Sequence, residues 1–153
     1  MTQTEMDKNL LVVTAIAGYA QNHNLQEAEV YKIFSQHNIL NLIREQYDAL
    51  HTQSLEETVC FVEDVMHNLE KNSINENKSM PQYFYNDQNI TIDILLKIEH
   101  VVRILSEKYK SSFDDLLEKF YSSNTFRALK NPATCMWAEC AEYIADEFER
   151  ENL

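Results

Sequence analysis

Glycine is almost absent from this sequence: Gly18 stands alone among 153 residues, with only two prolines beside it. Turns with positive φ are therefore expected to be scarce, and an all-β fold needs many of them. A single glycine also excludes phosphate-cradling loops and dinucleotide fingerprints, which need several at close spacing. Basic residues are the second shortage. Lys and Arg number 13 against 25 Asp and Glu, giving a formal net charge of −12 and a pI near 4.7. Each phosphate contact needs a cation, so nucleic acid is not expected as a partner, and an anionic membrane surface is disfavoured on the same ground. Long apolar runs are missing as well; Leu10–Ala17 is too short and too soon interrupted to span a bilayer. Cysteine is sparse and odd in number. Cys60, Cys135 and Cys140, with no secretory leader before them, fit reduced thiols and a cytoplasmic location.

What fills the chain instead is helix formers, at an ordinary hydrophobic fraction of 44%. Their rhythm occurs twice. Residues 10–52 overlay 96–138 without a gap at a shift of 86, pairing Val30 with Leu116, Phe34 with Phe120, Asn38 with Asn124, Ile43 with Leu129 and His51 with Trp137. The expected fold is all-α: two small helical units of about four helices each, packed in tandem. The first covers 8–71, a linker 72–89, and the second 90–152.

Within the first unit, Leu10, Val13, Ile16, Ala17 and Ala20 predict a helix over about 8–22. Asn24 is the expected N-cap region of a second helix, and Asn38 of a third. Ser54-Leu55-Glu56-Glu57 reads as a capping box opening a fourth, with the stripe Leu55, Val59, Val62, Met66 and Leu69. The Asn- and Ser-rich stretch 72–89 reads as the linker, although Tyr83-Phe84-Tyr85 is too aromatic to stay free. In the second unit a helix over about 91–109 turns Ile94, Ile98, Val101, Val102 and Leu105 inward. Ser111 or Ser112 starts the next, a short one follows around 124–130, and Pro132 ends it. The last helix, about 139–151, buries Ala141, Ile144, Ala145 and Phe148.

The segment Tyr47-Asp48-Ala49-Leu50-His51-Thr52-Gln53, followed by Val62-Glu63-Asp64, resembles a small bacterial domain family of unknown function, and the likeness runs over residues 9–70. The second unit resembles a companion form of that family, through Phe120-Tyr121-Ser122-Ser123, Leu129, Pro132, Thr134, Trp137 and Glu142-Tyr143-Ile144-Ala145-Asp146-Glu147. That form usually has Ser before its last helix, where this chain has Cys140. Members are often encoded beside proteins similar to ADP-ribosyltransferases. The resemblance thus implies an antitoxin, immunity or regulatory partner of such a protein.

No residue cluster identifies a reaction. The five histidines, at 23, 37, 51, 67 and 100, sit in no nucleophile motif. Asp114 and Asp115 are adjacent on a helix and point about 100° apart, so they suit a first turn better than paired acid–base work. Cys135 and Cys140 are five apart with no second pair, so no metal site is expected, no cofactor either, and the thiols are expected to pack as small hydrophobes. The chain is therefore expected to be a non-catalytic protein-binding module whose partner is a basic or ADP-ribosyltransferase-like protein. The candidate contact residues are Tyr47, His51, Thr52 and Gln53 in the motif, Trp137 beside a turn, and Glu139, Glu142, Asp146 and Glu149 on the last helix. For His51 and Thr52 the plainer role is to close the third helix on backbone groups; for Trp137 it is to fill the core. Glu139–Glu151 holds six acids and one base, and like charges at helical spacing repel by a few tenths of a kcal/mol (about 0.3) per pair, which a basic partner relieves. The alternatives are a self-associating structural module and a cryptic enzyme using His51 with nearby acids. The sequence leaves the oligomeric state open.

Overall fold

The computed structural model describes residues 1–69 and 81–152. The chain divides into two compact units, Met1–Pro81 and Gln82–Leu153. Both are helical, and among the described residues the only sheet is a two-stranded hairpin. The fold class is all-α. Residues 72–80 of the expected linker lie outside the described residues.

The first unit opens with α1 (Gln3–His23), five residues earlier than apolar spacing predicts. The reason is a capping box. Thr2 Oγ1 accepts the Glu5 amide at 3.2 Å, and the Glu5 carboxylate accepts the Thr2 amide at 2.6 Å. Asn24 closes α1 instead of opening the next helix: it takes a left-handed φ of 53°, and the Leu25 amide reaches back to Ala20 O at 2.9 Å. Helix α2 (Glu27–Gln36) starts from Gln26, whose amide donates to the Glu29 carboxylate at 3.0 Å. Asn38 does precede α3 (Ile39–Glu45), but in a left-handed conformation. Its side chain accepts from Asn41 Nδ2 at 2.7 Å and caps no backbone amide. One turn, α4 (Tyr47–Leu50), and then α5 (Leu55–Leu69) complete the unit.

Helix α1 packs chiefly along α5, with α2 and α3 against its other sides. Val12, Val13, Ile16, Phe34, Ile43, Val59 and Val62 are fully enclosed. Leu69, expected on the α5 stripe, is the last residue of the helix and 52% exposed, and Leu55, the first, is half-buried. The α1–α5 approach runs through Gly18: a Cβ there would stand 2.8 Å from Val59 Cγ1 and nearer still to Cγ2. Glu63 of α5 ties down the end of α1. Its carboxylate meets His23 Nε2 at 2.9 Å and Asn22 Nδ2 at 3.1 Å.

The second unit begins with the hairpin β1 (Phe84–Tyr85) and β2 (Gln88–Asn89), inside the expected linker. Asn86 and Asp87 form its turn, both at positive φ, as a tight two-residue hairpin turn requires. Then come α6 (Thr91–Tyr109), α7 (Phe113–Tyr121), α8 (Asn124–Lys130), single 3-10 turns at Pro132–Thr134 and Met136–Ala138, and α9 (Ala141–Glu151). Ser112 caps α7 through the Asp115 amide at 3.1 Å, and Ser123 caps α8 through the Phe126 amide at 3.0 Å. Cys140 stands in the N-cap position of α9 without a side-chain cap bond. Helix α6 packs mainly on α9 and α7, around Ile94, Ile98, Leu105, Leu117, Phe120 and Ile144. Phe120 meets Phe126 and Phe148 edge-on at 5.6 and 5.7 Å.

Positive φ proves common despite the lack of glycine. Asn24, Asn38, Asn86, Asp87, Lys110 and Cys135 all adopt it. Asn and Asp supply four of these six, since short polar side chains tolerate the left-handed region best. The thiols also depart from expectation. Cys60 and Cys135 are half-buried and Cys140 is exposed, so none is enclosed in a core.

Candidate functional site

The Tyr47–Gln53 motif builds one corner of the first unit, and its first job is structural. Leu50 is buried at 5% exposure and anchors the single turn of α4. His51 closes that turn twice over: its backbone amide reaches Tyr47 O at 2.8 Å, and its Nδ1 reaches the same oxygen at 2.7 Å. A carbonyl only accepts, so Nδ1 carries the hydrogen, and the neutral ring keeps its lone pair on Nε2. The His51 ring lies flat on Tyr47, centroids 4.4 Å apart and planes 15° from parallel. Thr52 Oγ1 donates to Ala49 O at 3.1 Å. These bonds are the helix-closing role predicted for His51 and Thr52, though the helix they close is the extra turn α4.

The same geometry shapes a cleft of about 190 Å³, lined by Asp7, Leu10, Leu11, Tyr47, His51, Gln53 and Leu55. Three of the four motif residues named from sequence thus meet at one depression; Thr52 does not line it. The leucines form an aliphatic floor, with Leu11 at 5% exposure. The rim is polar. Tyr47 Oη donates to Asp7 Oδ2 at 3.3 Å, and Gln3 Nε2 donates to Asp7 Oδ1 at 2.8 Å. Desolvation, then the Asp7 charge and its hydrogen bond, push the Tyr47 hydroxyl above its usual 10.0, so it stays a donor. The Lys8 ammonium sits 5.6 Å from the Tyr47 ring centre. Sequence reading missed Asp7 and the leucines. The Thr2-x-x-Glu5 box was the available signal, since a helix starting at Gln3 carries Asp7, Leu10 and Leu11 along one side at i, i+3 and i+4.

The second unit holds the other named residues. Trp137 is half-buried and so is not the enclosed core residue of its plainer reading; its Nε1 donates to Pro132 O at 3.2 Å, and its ring lies 5.6 Å from Tyr85. Glu139, Glu142 and Asp146 are exposed, whereas Glu149 is half-buried. Glu149 takes Lys108 Nζ at 2.8 Å and Tyr109 Oη at 2.7 Å, and these two bonds hold its carboxyl below the usual 4.5. Glu142 is also held low, first by its own backbone amide and with help from His100. Glu147 pairs with Arg150. Glu151 crosses to the start of α8 and accepts the amides of Asn124 and Thr125 at 2.6 and 2.8 Å. Four of the six acids in this run, Glu142, Glu147, Glu149 and Glu151, are therefore engaged within the unit. Lys97 Nζ also donates to the backbone oxygen of Glu139 at 2.6 Å.

Among the described residues no three His, Cys, Asp or Glu side chains gather as a metal-ligand set, and no helix is long and apolar enough to cross a membrane. Residues 11–69 match the model of a family described as a protein of unknown function (DUF3791). The DUF3791 match runs from Leu11, within α1, to the end of α5 and includes Tyr47, His51, Thr52 and Gln53, while Asp7 and Leu10 precede it. No curated protein and no solved structure matches the chain.

Proposed function

We propose that this chain is a non-catalytic protein-binding module of antitoxin or immunity type, cytoplasmic, and that it acts by covering a surface of a partner resembling an ADP-ribosyltransferase. The choice of partner rests on the family resemblance of residues 9–70 and the gene neighbourhood it implies. The observation that carries the docking half is the cleft of the first unit. Side-chain hydrogen bonds fix His51 and Tyr47 in place, and together with Asp7 and Gln53 they rim a leucine floor. At about 190 Å³ the depression lies below the ~300–1,000 Å³ typical of small-molecule sites and suits one inserted side chain. A rigid polar rim around an apolar floor is the anatomy of an interface anchor point. The exposed Glu139, Glu142 and Asp146 offer a second, electrostatic contact that speeds encounter with a basic partner.

We also read the second unit as a diverged copy of the first. Shifted back by 86, α6, α7, α8 and α9 begin at 5, 27, 38 and 55, close to the starts of α1, α2, α3 and α5. Self-association is the competing reading, and it draws on Ile92 and Leu96, one turn apart on α6 and 46% and 47% exposed. Light scattering on concentrated protein separates the two, since a strict monomer leaves only the first.

The docking reading is tested by capture from the native host at endogenous levels, followed by an activity assay of the captured protein. Gln53→Arg and Leu55→Arg fill the cleft at positions that are not enclosed. Both should lose the partner while keeping the wild-type melting temperature. Equal capture by wild type and both variants, or no partner for any, sinks the proposal.

A further inference from the structure

We propose that the cleft of the first unit is a socket for an arginine side chain of the bound protein, an inference that rests on the docking reading above. The lining divides as such a side chain does. Leu10, Leu11 and Leu55 offer an aliphatic surface for the three-carbon stem, and the rim is built of acceptors. Asp7 is the centre of the argument. Its carboxylate is half-buried, both of its bonded donors are neutral (Gln3 Nε2 and Tyr47 Oη), and no ion pair to it occurs among the described residues. A carboxylate so placed gains most from a cation that brings its own donors. His51 adds the lone pair of Nε2, because Nδ1 is committed to Tyr47 O, and Gln53 adds an amide oxygen.

Arginine fits better than lysine. Its planar fork presents five donors, spreads its charge over a face that stacks on rings, and is more weakly hydrated than an ammonium. The Tyr47–His51 stack supplies the ring surface, and Lys8 over Tyr47 shows that this ring already lies within reach of a cation. No lysine or arginine lines the cleft itself, Lys8 would have to yield the Tyr47 ring to the newcomer, and the chain's net charge of −12 favours its approach.

The test uses the full chain and two nearly isosteric probes, of which one carries the charged guanidinium and the other a neutral ureido group with a carbonyl acceptor in place of one NH2 donor. N-acetyl-arginine methylamide should shift the backbone amide signals of His51, Gln53 and Leu55 saturably. N-acetyl-citrulline methylamide keeps the shape without the charge and should bind at least about ten-fold more weakly. Asp7→Asn should bring arginine down to the citrulline level. The probe pair on wild-type protein decides the matter even if that variant fails to fold. Equal response to both probes, or shifts elsewhere, overturns the socket. A second arm separates this failure from that of the docking reading. A captured partner should be released by arginine amide and not by citrulline amide at matched ionic strength. A partner that stays bound under both overturns the socket and leaves docking intact, whereas no captured partner removes docking itself.

Discussion

Gly18→Ala sets two well-measured effects against each other. At an exposed helix position the change stabilises by about 1 kcal/mol, because alanine loses less backbone freedom on folding. Gly18 is not exposed. It lies in the middle of α1 where that helix crosses α5, and a Cβ would meet both γ-methyls of Val59, Cγ1 at 2.8 Å. Ordinary carbon contacts sit at about 3.5–4.0 Å, so the helices must part or Val59 must turn. Valine in a helix holds one rotamer about nine times in ten, and Val59 is fully enclosed, so turning it is costly. Overpacking of this kind costs about 1–3 kcal/mol. Set against the propensity gain, the expected net loss is about 1 kcal/mol, which at a urea slope of about 1–2 kcal/mol per M lowers the midpoint by about 0.5–1 M. Urea unfolding followed by circular dichroism reads this directly, and amide exchange in α1 and α5 localises it. Val59→Ala vacates the space, so the double variant should lose at least about 1 kcal/mol less than the sum of the single changes. A Gly18→Ala protein more stable than wild type would refute the reasoning, for it would mean that the two helices are free to move apart.

Thr58 is fully buried in α5, and its hydroxyl has no hydrogen-bond partner among the described residues. Thr58→Val removes an unsatisfied polar atom at nearly constant volume and should stabilise by about 1 kcal/mol in the same urea assay; destabilisation would mean that the hydroxyl has a partner. Acid should weaken the second unit through Glu149 and Glu151. The Lys108 and Tyr109 bonds hold the Glu149 carboxyl below its usual 4.5. Burial pushes Glu151 up, but the Asn124 and Thr125 amides outweigh it and leave it low as well. Groups depressed by folding lend stability that is fully present above the unfolded value and lost as pH falls through the folded one. The melting temperature should therefore drop as pH is lowered from about 4.5, and Glu149→Gln with Glu151→Gln should flatten that slope; an unchanged slope would put the loss elsewhere.

The parts of the fold legible in the sequence are those governed by short-range regularity. Apolar spacing located the helical segments and most enclosed positions, and Ser112 at the head of α7 was visible as a cap. Where one residue type serves two opposite ends, the reading failed. Asparagine favours the N-cap position but also the left-handed residue that ends a helix: Asn24 closes α1, and Asn38 holds the N-cap position of α3 in a left-handed conformation without a cap bond. A glycine inside a helix is unfavourable by propensity alone; the reason for Gly18 is visible only once Val59, 41 residues on, lies against it. The motif at Tyr47–Gln53 was visible as a unit, but the cleft it rims needed Asp7 and Leu10, which come from a different helix.

The acidic last helix shows the same limit in electrostatic form. Taken alone, the run from Glu139 to Glu151 repels itself and calls for a basic partner. Folding supplies much of that basic character from inside the unit. Lys97 of α6 donates to the backbone oxygen of Glu139, just before α9, and Lys108 of α6 pairs with Glu149 of α9. Glu151 is spent on the start of α8. A charge run on one helix therefore cannot be read for partners until the facing helix is known, because the compensating cations lie some 40 residues away in sequence. The first unit presents the opposite case. The one carboxylate lining its cleft, Asp7, meets neutral donors only, so the smaller negative feature leaves the larger share of its charge for a ligand to satisfy.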